Sequence, residues 1–289
     1  MASTTPPKPQ YDNFAPDYLS VEDLPCAKVE ASLILTALGD CTGLSILDLG
    51  GGNGLHARRA VTSANAASVD VVDISREMLR IGADIEVAKT TESGSPSRIR
   101  WFEADLSRSL AEQIVKPLDS ADGDGSADGG AKLKDGYDVV MANWLFDHAT
   151  SMADLRGMYE NVARYLKPHG GKFIGVRVYN IDAGYITNGN GKYGALFKDV
   201  ERMESEPGFK YQVGMQLRVD EPAFYFGATS MDETLTLRDG EEGGMGRELG
   251  LGQYWVVPPA ETDVVKGDEE YWGDFLAAPN LAVVVAKKL

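Results

Sequence analysis

The sequence lacks the features that would place it in several broad protein classes. It has two cysteines, Cys26 and Cys41, whose spacing fits neither a metal site nor a disulfide framework. No apolar run approaches the roughly 20 residues of a membrane span. The first ten residues are rich in proline, threonine and serine and lack the apolar core of a signal peptide. We therefore expect a cytoplasmic protein with reduced thiols, no membrane segment and no metal.

Basic residues are also scarce. The 28 lysines and arginines face 44 aspartates and glutamates, which gives a net charge of −16 in 289 residues. Such a surface argues against nucleic acid, because phosphate binding needs a basic face. A small molecule is the expected partner, and the oligomeric state is left open. The length suits one large α/β domain with insertions.

The most informative segment is residues 44–54, an apolar strand that runs directly into a glycine-rich turn. Gly50, Gly52 and Gly54 tolerate positive φ and let a ligand approach bare backbone. Asp48 completes the spacing Asp-x-Gly-x-Gly-x-Gly. This spacing resembles the first motif of class I S-adenosylmethionine (SAM)-dependent methyltransferases.

The same residues permit a rival interpretation. Gly52-x-Gly54-x-x-Ala57, with Asp73 about 20 positions later, matches a variant of the dinucleotide fingerprint. Asp48 favours SAM, because the nicotinamide fingerprint has an apolar residue at that point of the strand. A nicotinamide-dependent oxidoreductase remains the alternative, although the chain lacks a Tyr-x-x-x-Lys pair after the fourth strand.

Alternating strands and helices predict a doubly wound, Rossmann-like α/β fold. We expect a seven-stranded, mostly parallel sheet with an antiparallel last strand, helices on both faces, an N-terminal lid helix and C-terminal insertions. Residues 1–20 would form a flexible lid segment and residues 21–289 a single domain. That domain would carry a low-complexity insertion at about 118–136 and substrate-covering insertions at about 179–250. Two strands are predicted within residues 209–227, and the region after Val178 as a whole is interpreted as the closing strands of the sheet together with these insertions.

Polar and apolar residues at successive strand ends match the needs of an adenosyl cofactor. Asp73 would bind the ribose, Ile74 and Met78 would wall the adenine, and Asp105 would accept from its amine. Asp73 and Asp105 also suit helix caps, but their ordered occurrence at strand ends favours a cofactor site. The predicted cofactor-binding residues are Tyr18, Asp48, Gly50, Gly52, Asn53, Asp73, Ile74, Met78, Asp105, Leu106, Asn143 and Trp144.

A narrower resemblance rests on three further segments. Tyr11-Asp12-x-x-Ala15-x-x-Tyr18, residues 143–149 (Asn-Trp-Leu-Phe-Asp-His-Ala) and residues 270–279 are similar to toxoflavin synthase-like methyltransferases. The resemblance implies that the N-terminal segment folds over the cofactor, with Tyr18 reaching it. The alternative is an aromatic stripe that packs a tail onto the core. Residues 179–267 depart most from the pattern, so the substrate does not carry over.

Methyl transfer from a sulfonium needs alignment first, and proton removal only for some acceptors. His148 is the candidate general base, unless it packs or caps the nearby helix start. Candidate substrate contacts are Tyr11, Trp144, His148 and Tyr179. We predict methylation of O, N or S on a small aromatic or heterocyclic metabolite of secondary metabolism. The further alternative is a catalytically silent, methyltransferase-like regulatory subunit.

Overall fold

The apolar, β-branched runs of the sequence form the strands of a central sheet. A computed structural model describes residues 10–13, 15–113, 115–118, 132–188, 191–217, 224–235 and 244–289. Residues 1–9 of the predicted lid segment and residues 119–131 of the predicted insertion lie outside these ranges. The strands are β1 Ser45–Leu49, β2 Ser68–Asp73, β3 Ile99–Glu103, β4 Lys116–Pro117, β5 Val139–Met141, β6 Lys172–Val178, β7 Ala195–Arg202, β8 Gly208–Met215, β9 Phe224–Met231, β10 Leu251–Val256 and β11 Leu281–Lys288.

The central sheet confirms the predicted doubly wound fold. Its order is β10-β11-β6-β5-β1-β2-β3-β4. β1 pairs in parallel with β2 and β5, while β11 is antiparallel to its neighbours β6 and β10. The two-residue strand β4, antiparallel to β3, brings the described strands of this sheet to eight instead of the predicted seven. The chain continues from β1 to β2 and β3 on one side and later returns to β5 and β6 on the other side of β1. At such a switch point a crevice opens at the carboxyl ends of β1 and β5.

Helices cover both faces of this sheet. Alternate residues of each strand point to opposite faces, so Ile46 joins one core cluster and Leu47 the other. The Ser75 hydroxyl accepts from the Met78 amide at 3.2 Å and caps α4, as predicted. The helices are α1 Ala15–Tyr18, α2 Pro25–Leu38, α3 Leu55–Thr62, α4 Arg76–Ser93, α5 Met152–Tyr165, α6 Gly184–Thr187, α7 Asp232–Leu235, α8 Gly244–Glu248, α9 Asp263–Lys266 and α10 Gly273–Ala277.

Three short segments form 3₁₀ turns that matter for the site. They are Gln10–Asn13, Leu19–Asp23 and Phe146–His148. Helix α2 begins at Pro25, because proline suits the first helical turn. None of the helices in the described ranges has the length and apolar composition of a membrane-spanning segment.

The region after β6 contains two closing strands of the central sheet, β10 and β11, and a second sheet. β7, β8 and β9 form a separate three-stranded antiparallel sheet, here called the covering sheet, and do not close the central sheet. β6 and β10 already pair with both edges of β11, so β8 and β9 have no free edge of β11 to join. The covering sheet instead lies over the carboxyl ends of the parallel strands, where the Thr229 hydroxyl donates to the Ala149 carbonyl at 2.5 Å.

Candidate functional site

A cavity of about 550 Å³ lies between the carboxyl ends of the parallel strands and the covering sheet. This volume falls within the roughly 300–1,000 Å³ typical of small-molecule sites. Its walls come from the loop after β1, the ends of β2, β3 and β5, helix α2 and the covering sheet. The predicted motif residues and the covering sheet therefore line the same cavity.

The glycine loop has the backbone conformation that its sequence predicted. Gly50, Gly52 and Gly54 have φ values of +72°, +52° and +73°. A side chain is strained in this left-handed region. A Cβ on Gly54 would also meet the Trp101 ring at 2.3 Å. Asn53 also lines the cavity, and its Oδ1 accepts from the amide of Leu55, the first residue of α3, at 3.2 Å.

Asp73 connects the glycine loop to the start of α4. Its Oδ2 accepts from the Gly52 amide at 2.9 Å and its Oδ1 from the Ser75 amide at 2.8 Å. Burial raises the pKa of Asp73, and the backbone donors oppose that rise. The carboxylate thus turns the chain locally and also lines the cavity. The turn and ligand interpretations of Asp73 are compatible in this geometry.

The ends of β2 and β3 supply an apolar wall. Ile74 is 51% exposed, whereas Met78 and Leu106 are buried, and all three line the cavity. Asp105 lines it as well, but its Oδ1 accepts from the amide and the hydroxyl of Ser107 at 3.0 and 2.7 Å. Asp105 therefore makes the local contacts expected if it serves as a cap. Its Oδ2 also lies 3.3 Å from Nε of Arg108.

Asp48 is a buried carboxylate without a partner. Both of its oxygens lack a hydrogen bond within the described part of the chain, and it lines the cavity. Burial raises the pKa of Asp48 to about 7; the nearby His56 lowers it and Asp73 raises it further. An unpaired buried carboxylate is costly. A cationic or hydrogen-bond-donating ligand would remove that cost.

The end of β5 supplies a second polar side chain without a partner. The Asn143 amide is buried, and neither its oxygen nor its nitrogen has a partner among the described residues. The next residue, Trp144, has a φ of +60° and donates its indole N–H to Glu30 Oε2 at 2.9 Å. Asn143 and Trp144 both line the cavity, as predicted from their position after the strand.

Glu30 is a site residue that sequence reasoning missed. Besides Trp144 it contacts His56, with Oε1 3.0 Å from Nε2, and both Glu30 and His56 line the cavity. His56 was not among the predicted site residues either. The overlooked signal is an acidic residue inside the apolar stripe of α2 formed by Ala27, Ala31 and Ile34.

Tyr11 and His148 are brought together although 137 positions separate them. The Tyr11 hydroxyl lies 2.9 Å from His148 Nε2, and the two rings meet edge to face. Burial lowers the pKa of His148 to about 4, so the imidazole is neutral near pH 7. It can accept the Tyr11 proton in a hydrogen bond but is a weak base. Both residues line the cavity, and the catalytic role of His148 stays a prediction.

Residues 10–13, here called the N-terminal strap, touch both walls of the cavity. The Gln10 side-chain amide pairs with the Gly227 backbone of β9 through contacts of 2.9 and 3.1 Å. Asp12 accepts from the Ser75 hydroxyl at 2.5 Å. Only the backbone of Tyr18 is described, so its predicted contact with the cofactor lies outside the described side chains.

Tyr179 corrects one predicted substrate contact, because it is not among the residues that line the cavity. Val178, at the end of β6, is a lining residue. Successive residues along extended backbone point to opposite faces. Tyr179 accordingly packs against the core cluster beneath the other face of the sheet.

The wall opposite the glycine loop comes from the covering sheet. Its inward residues pair across the strands, with Phe197 opposite Val213 and Tyr211 opposite Ala228. Phe226 completes this apolar and aromatic surface. Sequence reasoning placed substrate-covering insertions in this region but did not predict these lining residues. The buried Asp147, in the 3₁₀ turn after β5, also lines the cavity and was not predicted.

Comparison with known proteins agrees with this geometry. Residues 47–173 match the family model described as a methyltransferase domain. Malonyl-[acyl-carrier protein] O-methyltransferase of Halalkalibacterium halodurans is 31% identical over 130 residues, which are 44% of this chain and 36% of that protein. The match therefore spans about a third of that relative's length.

Solved structures share the fold over nearly the whole chain. A chain of the Haloferax volcanii complex between the Trm112 methyltransferase activator and a methyltransferase aligns with a TM-score of 0.55, covering 98% of this chain and 99% of that one at 15% identity. The CcbJ methyltransferase of Streptomyces caelestis gives 0.55 at 15% identity, covering 96% of both chains. At such identities the likeness shows the fold.

The residues present also fit the cofactor of such domains. SAM carries a sulfonium and an ammonium group, which match the unpaired Asp48 carboxylate. Its bulk needs the bare backbone that positive-φ glycines leave open at the loop. The chain therefore has the fold of these methyltransferase structures, with residues 47–173 matching a methyltransferase domain and a site whose residues fit S-adenosylmethionine.

Proposed function

We propose that this protein transfers the methyl group of SAM to O, N or S of a small aromatic or heterocyclic metabolite. The single observation that carries the proposal is the contrast between the two walls of one cavity. One wall has the glycine loop and the unpaired Asp48, and the other has the aromatic side chains of the covering sheet. A polar, partly cationic cofactor suits the first wall, and a planar apolar acceptor suits the second.

On the cofactor side, each predicted residue has a distinct role. Asp73 would bind the ribose hydroxyls with the lone pairs that its two backbone contacts leave free. Ile74, Met78 and Leu106 would enclose the adenine. Asp48 and Asn143, both without partners among the described residues, would bind the charged amino-acid end.

The bound cofactor supplies an electrophilic methyl group on sulfur. The chain's own residues then align an acceptor with that methyl group and exclude water. Correct alignment can supply roughly 7–11 kcal/mol of the barrier lowering. The covering sheet holds the acceptor, and the neutral His148 with Tyr11 borders it. In the proposed reaction, the residues therefore mainly position the two reactants.

The identity of the acceptor is not inherited from the relatives. The covering sheet, β7 to β9, begins at Ala195, beyond the segment 47–173 that matches the family model. The acyl-carrier-protein substrate named for the Halalkalibacterium protein thus belongs to a chain of different extent. We place this protein in secondary metabolism on the aromatic character of its own covering sheet.

Titration calorimetry with SAM and its demethylated product, S-adenosylhomocysteine (SAH), tests the proposal. We expect both to bind and NADH and NADPH not to bind, because a pyrophosphate would face the Asp48 carboxylate. Asp73→Ala should weaken SAM binding at least tenfold, about 1.4 kcal/mol. Asp135→Ala, an exposed residue before β5, is the matched control. Binding of NADH in place of SAM would instead establish the oxidoreductase alternative.

Activity is tested separately by mass spectrometry. Cell extracts incubated with the protein and SAM should gain products heavier by one methylene unit. If the chain binds SAM but methylates nothing, the silent regulatory alternative is favoured. In that case an activator protein, as in the Haloferax volcanii complex, is the next partner to test.

A further inference from the structure

Asp147 stands at the boundary between the two halves of the molecule. It follows β5 in the 3₁₀ turn Phe146–His148, is 2% exposed and lines the cavity. Its Oδ1 accepts from the Ser230 hydroxyl of β9 at 2.6 Å. That hydroxyl lies 2.9 Å from the Tyr211 hydroxyl of β8. The covering sheet therefore approaches the end of the parallel sheet through this carboxylate.

The hydrogen bonds have a defined direction. Ser230 uses its proton toward Asp147, so Tyr211 must donate to Ser230. Burial raises the pKa of Tyr211 well above its ordinary value, which keeps the phenol protonated. Tyr211 and Ser230 thus hold one carboxylate oxygen from the side of the covering sheet. The second oxygen, Oδ2, is buried and makes no hydrogen bond of good geometry among the described residues, although the Val178 backbone N–H faces this carboxyl group.

A buried carboxylate oxygen without a donor is expensive, so the site is set to receive a proton donor. The wall beside it contains Tyr211 and Phe226 and suits an aromatic ring. His148 is the competing acceptor, but its Nε2 already contacts the Tyr11 hydroxyl. The free oxygen of Asp147 is thus the better-placed acceptor for a ligand proton.

We infer that Asp147 is the general base of the reaction and that the methyl acceptor is an aromatic compound bearing a hydroxyl group. This inference rests on the proposed function. The acceptor oxygen forms a bond to the methyl carbon while the carbon–sulfur bond breaks and its electron pair stays on sulfur. The hydroxyl proton moves to Asp147 Oδ2. The products are an aromatic methyl ether, the neutral thioether and a protonated carboxyl group.

The charge environment supports a base at this position. Burial raises the pKa of Asp147 to about 7, while the Ser230 hydroxyl, the positive charge of the buried Arg177 and the Val178 backbone N–H oppose the rise. A carboxyl group that titrates near neutral pH can accept a proton and release it again. A buried His148, with its pKa lowered to about 4, is less suited to that task.

The experiment uses 2-naphthol as the probe, with the full chain saturated with SAH. Excited 2-naphthol is a strong acid that emits at longer wavelength after a neighbouring base takes its proton. We expect naphtholate emission from the wild-type complex, and His148→Gln tests the competing acceptor within the cavity. Asp147→Asn should keep the Ser230 contact and bind 2-naphthol, yet emit only as the neutral form. Asp135→Asn, outside the cavity, is the matched control and should behave as wild type.

Several outcomes would overturn the inference. These are naphtholate emission that persists in Asp147→Asn, loss of emission in His148→Gln alone, or no binding of 2-naphthol by the wild type. Each leaves the proposed function standing, because SAH binding is measured in the same samples. Failure of SAM and SAH to bind would instead remove both. If Asp147→Asn does not fold, Ser230→Ala decides. Without the Ser230 donor the Asp147 carboxylate is a stronger acceptor, so Ser230→Ala should bind 2-naphthol at least threefold tighter. Its affinity for 2-methoxynaphthalene, which has no hydroxyl proton, should not change. An unchanged 2-naphthol affinity would refute the role of Asp147.

Discussion

At the scale of single residues, the site keeps polar groups in an unfavourable state. Asp48 has no donor for either oxygen within the described residues, and Asn143 has none for its amide. In the folded protein without a ligand, these groups lose their contacts with water and gain nothing in return. Their presence at the cavity therefore makes sense only as preparation for a ligand.

Asp48→Asn should show this cost directly. The pKa of Asp48 is raised in the folded protein to about 7 from an ordinary 3.8. The folded protein therefore loses stability as pH rises between these two values. The ligand-free variant should therefore gain little over wild type at pH 4 and up to about 4 kcal/mol at pH 8. Urea unfolding at both pH values measures the gain.

The same variant should bind SAM at least tenfold more weakly, because a neutral amide attracts a cation less than a carboxylate does. Titration calorimetry at pH 8 gives the affinity. A variant that is less stable than wild type at pH 8, or that binds SAM equally well, would contradict the interpretation of Asp48.

At the scale of elements, α2 does more than pack on the sheet. Through Glu30 it connects the start of α3, at His56, with the end of β5, at Trp144. Three elements are thus fixed around the cavity by one carboxylate. The apolar stripe of α2 indicates that this face of the helix is buried. The stripe does not reveal that Glu30, a charged residue within it, contacts both His56 and Trp144.

Glu30→Gln tests this connection. Glutamine still accepts from the Trp144 indole but loses the charge that faces His56. Because hydrogen bonds to charged groups contribute about 1.5–3 kcal/mol, we expect the free energy of unfolding to fall by an amount in that range. SAM affinity should fall several-fold as Trp144 loses its fixed position.

Urea unfolding and titration calorimetry measure these two effects. Glu160→Gln, exposed on α5, is the control and should change neither value. If Glu30→Gln matched Glu160→Gln in both measurements, the carboxylate would have no organising role.

At the scale of the whole molecule, the predictable part of the structure is the part with a repeating pattern. The buried strands β1, β2 and β6 and the capped helix α4 follow from apolar runs and cap residues, and the glycine loop from its spacing. The covering sheet could not be assembled from the sequence, because its strands alternate like any half-buried strand and alternation does not identify the partner strand. Contacts such as Tyr11 with His148 depend on the assembled fold, so sequence spacing does not reveal them.

The whole chain should become more stable when the cofactor binds. A ligand at 100 times its dissociation constant stabilises the folded state by about 2.7 kcal/mol. For a chain of this size we expect the melting temperature to rise by about 5–10 °C. Differential scanning fluorimetry with SAH measures the shift, and NADH at equal concentration should give none. An equal shift with both ligands would refute the cofactor assignment.

The N-terminal strap has a consequence for timing. Asp12 contacts Ser75 at the start of α4, beside the proposed cofactor side of the cavity, and Gln10 contacts β9, beside the proposed acceptor side. If the strap detaches from one half, it loosens its hold on the other. Under the proposed function, release of the demethylated cofactor and entry of the next acceptor would both require the strap to move. The two ligands would then exchange in a coupled order.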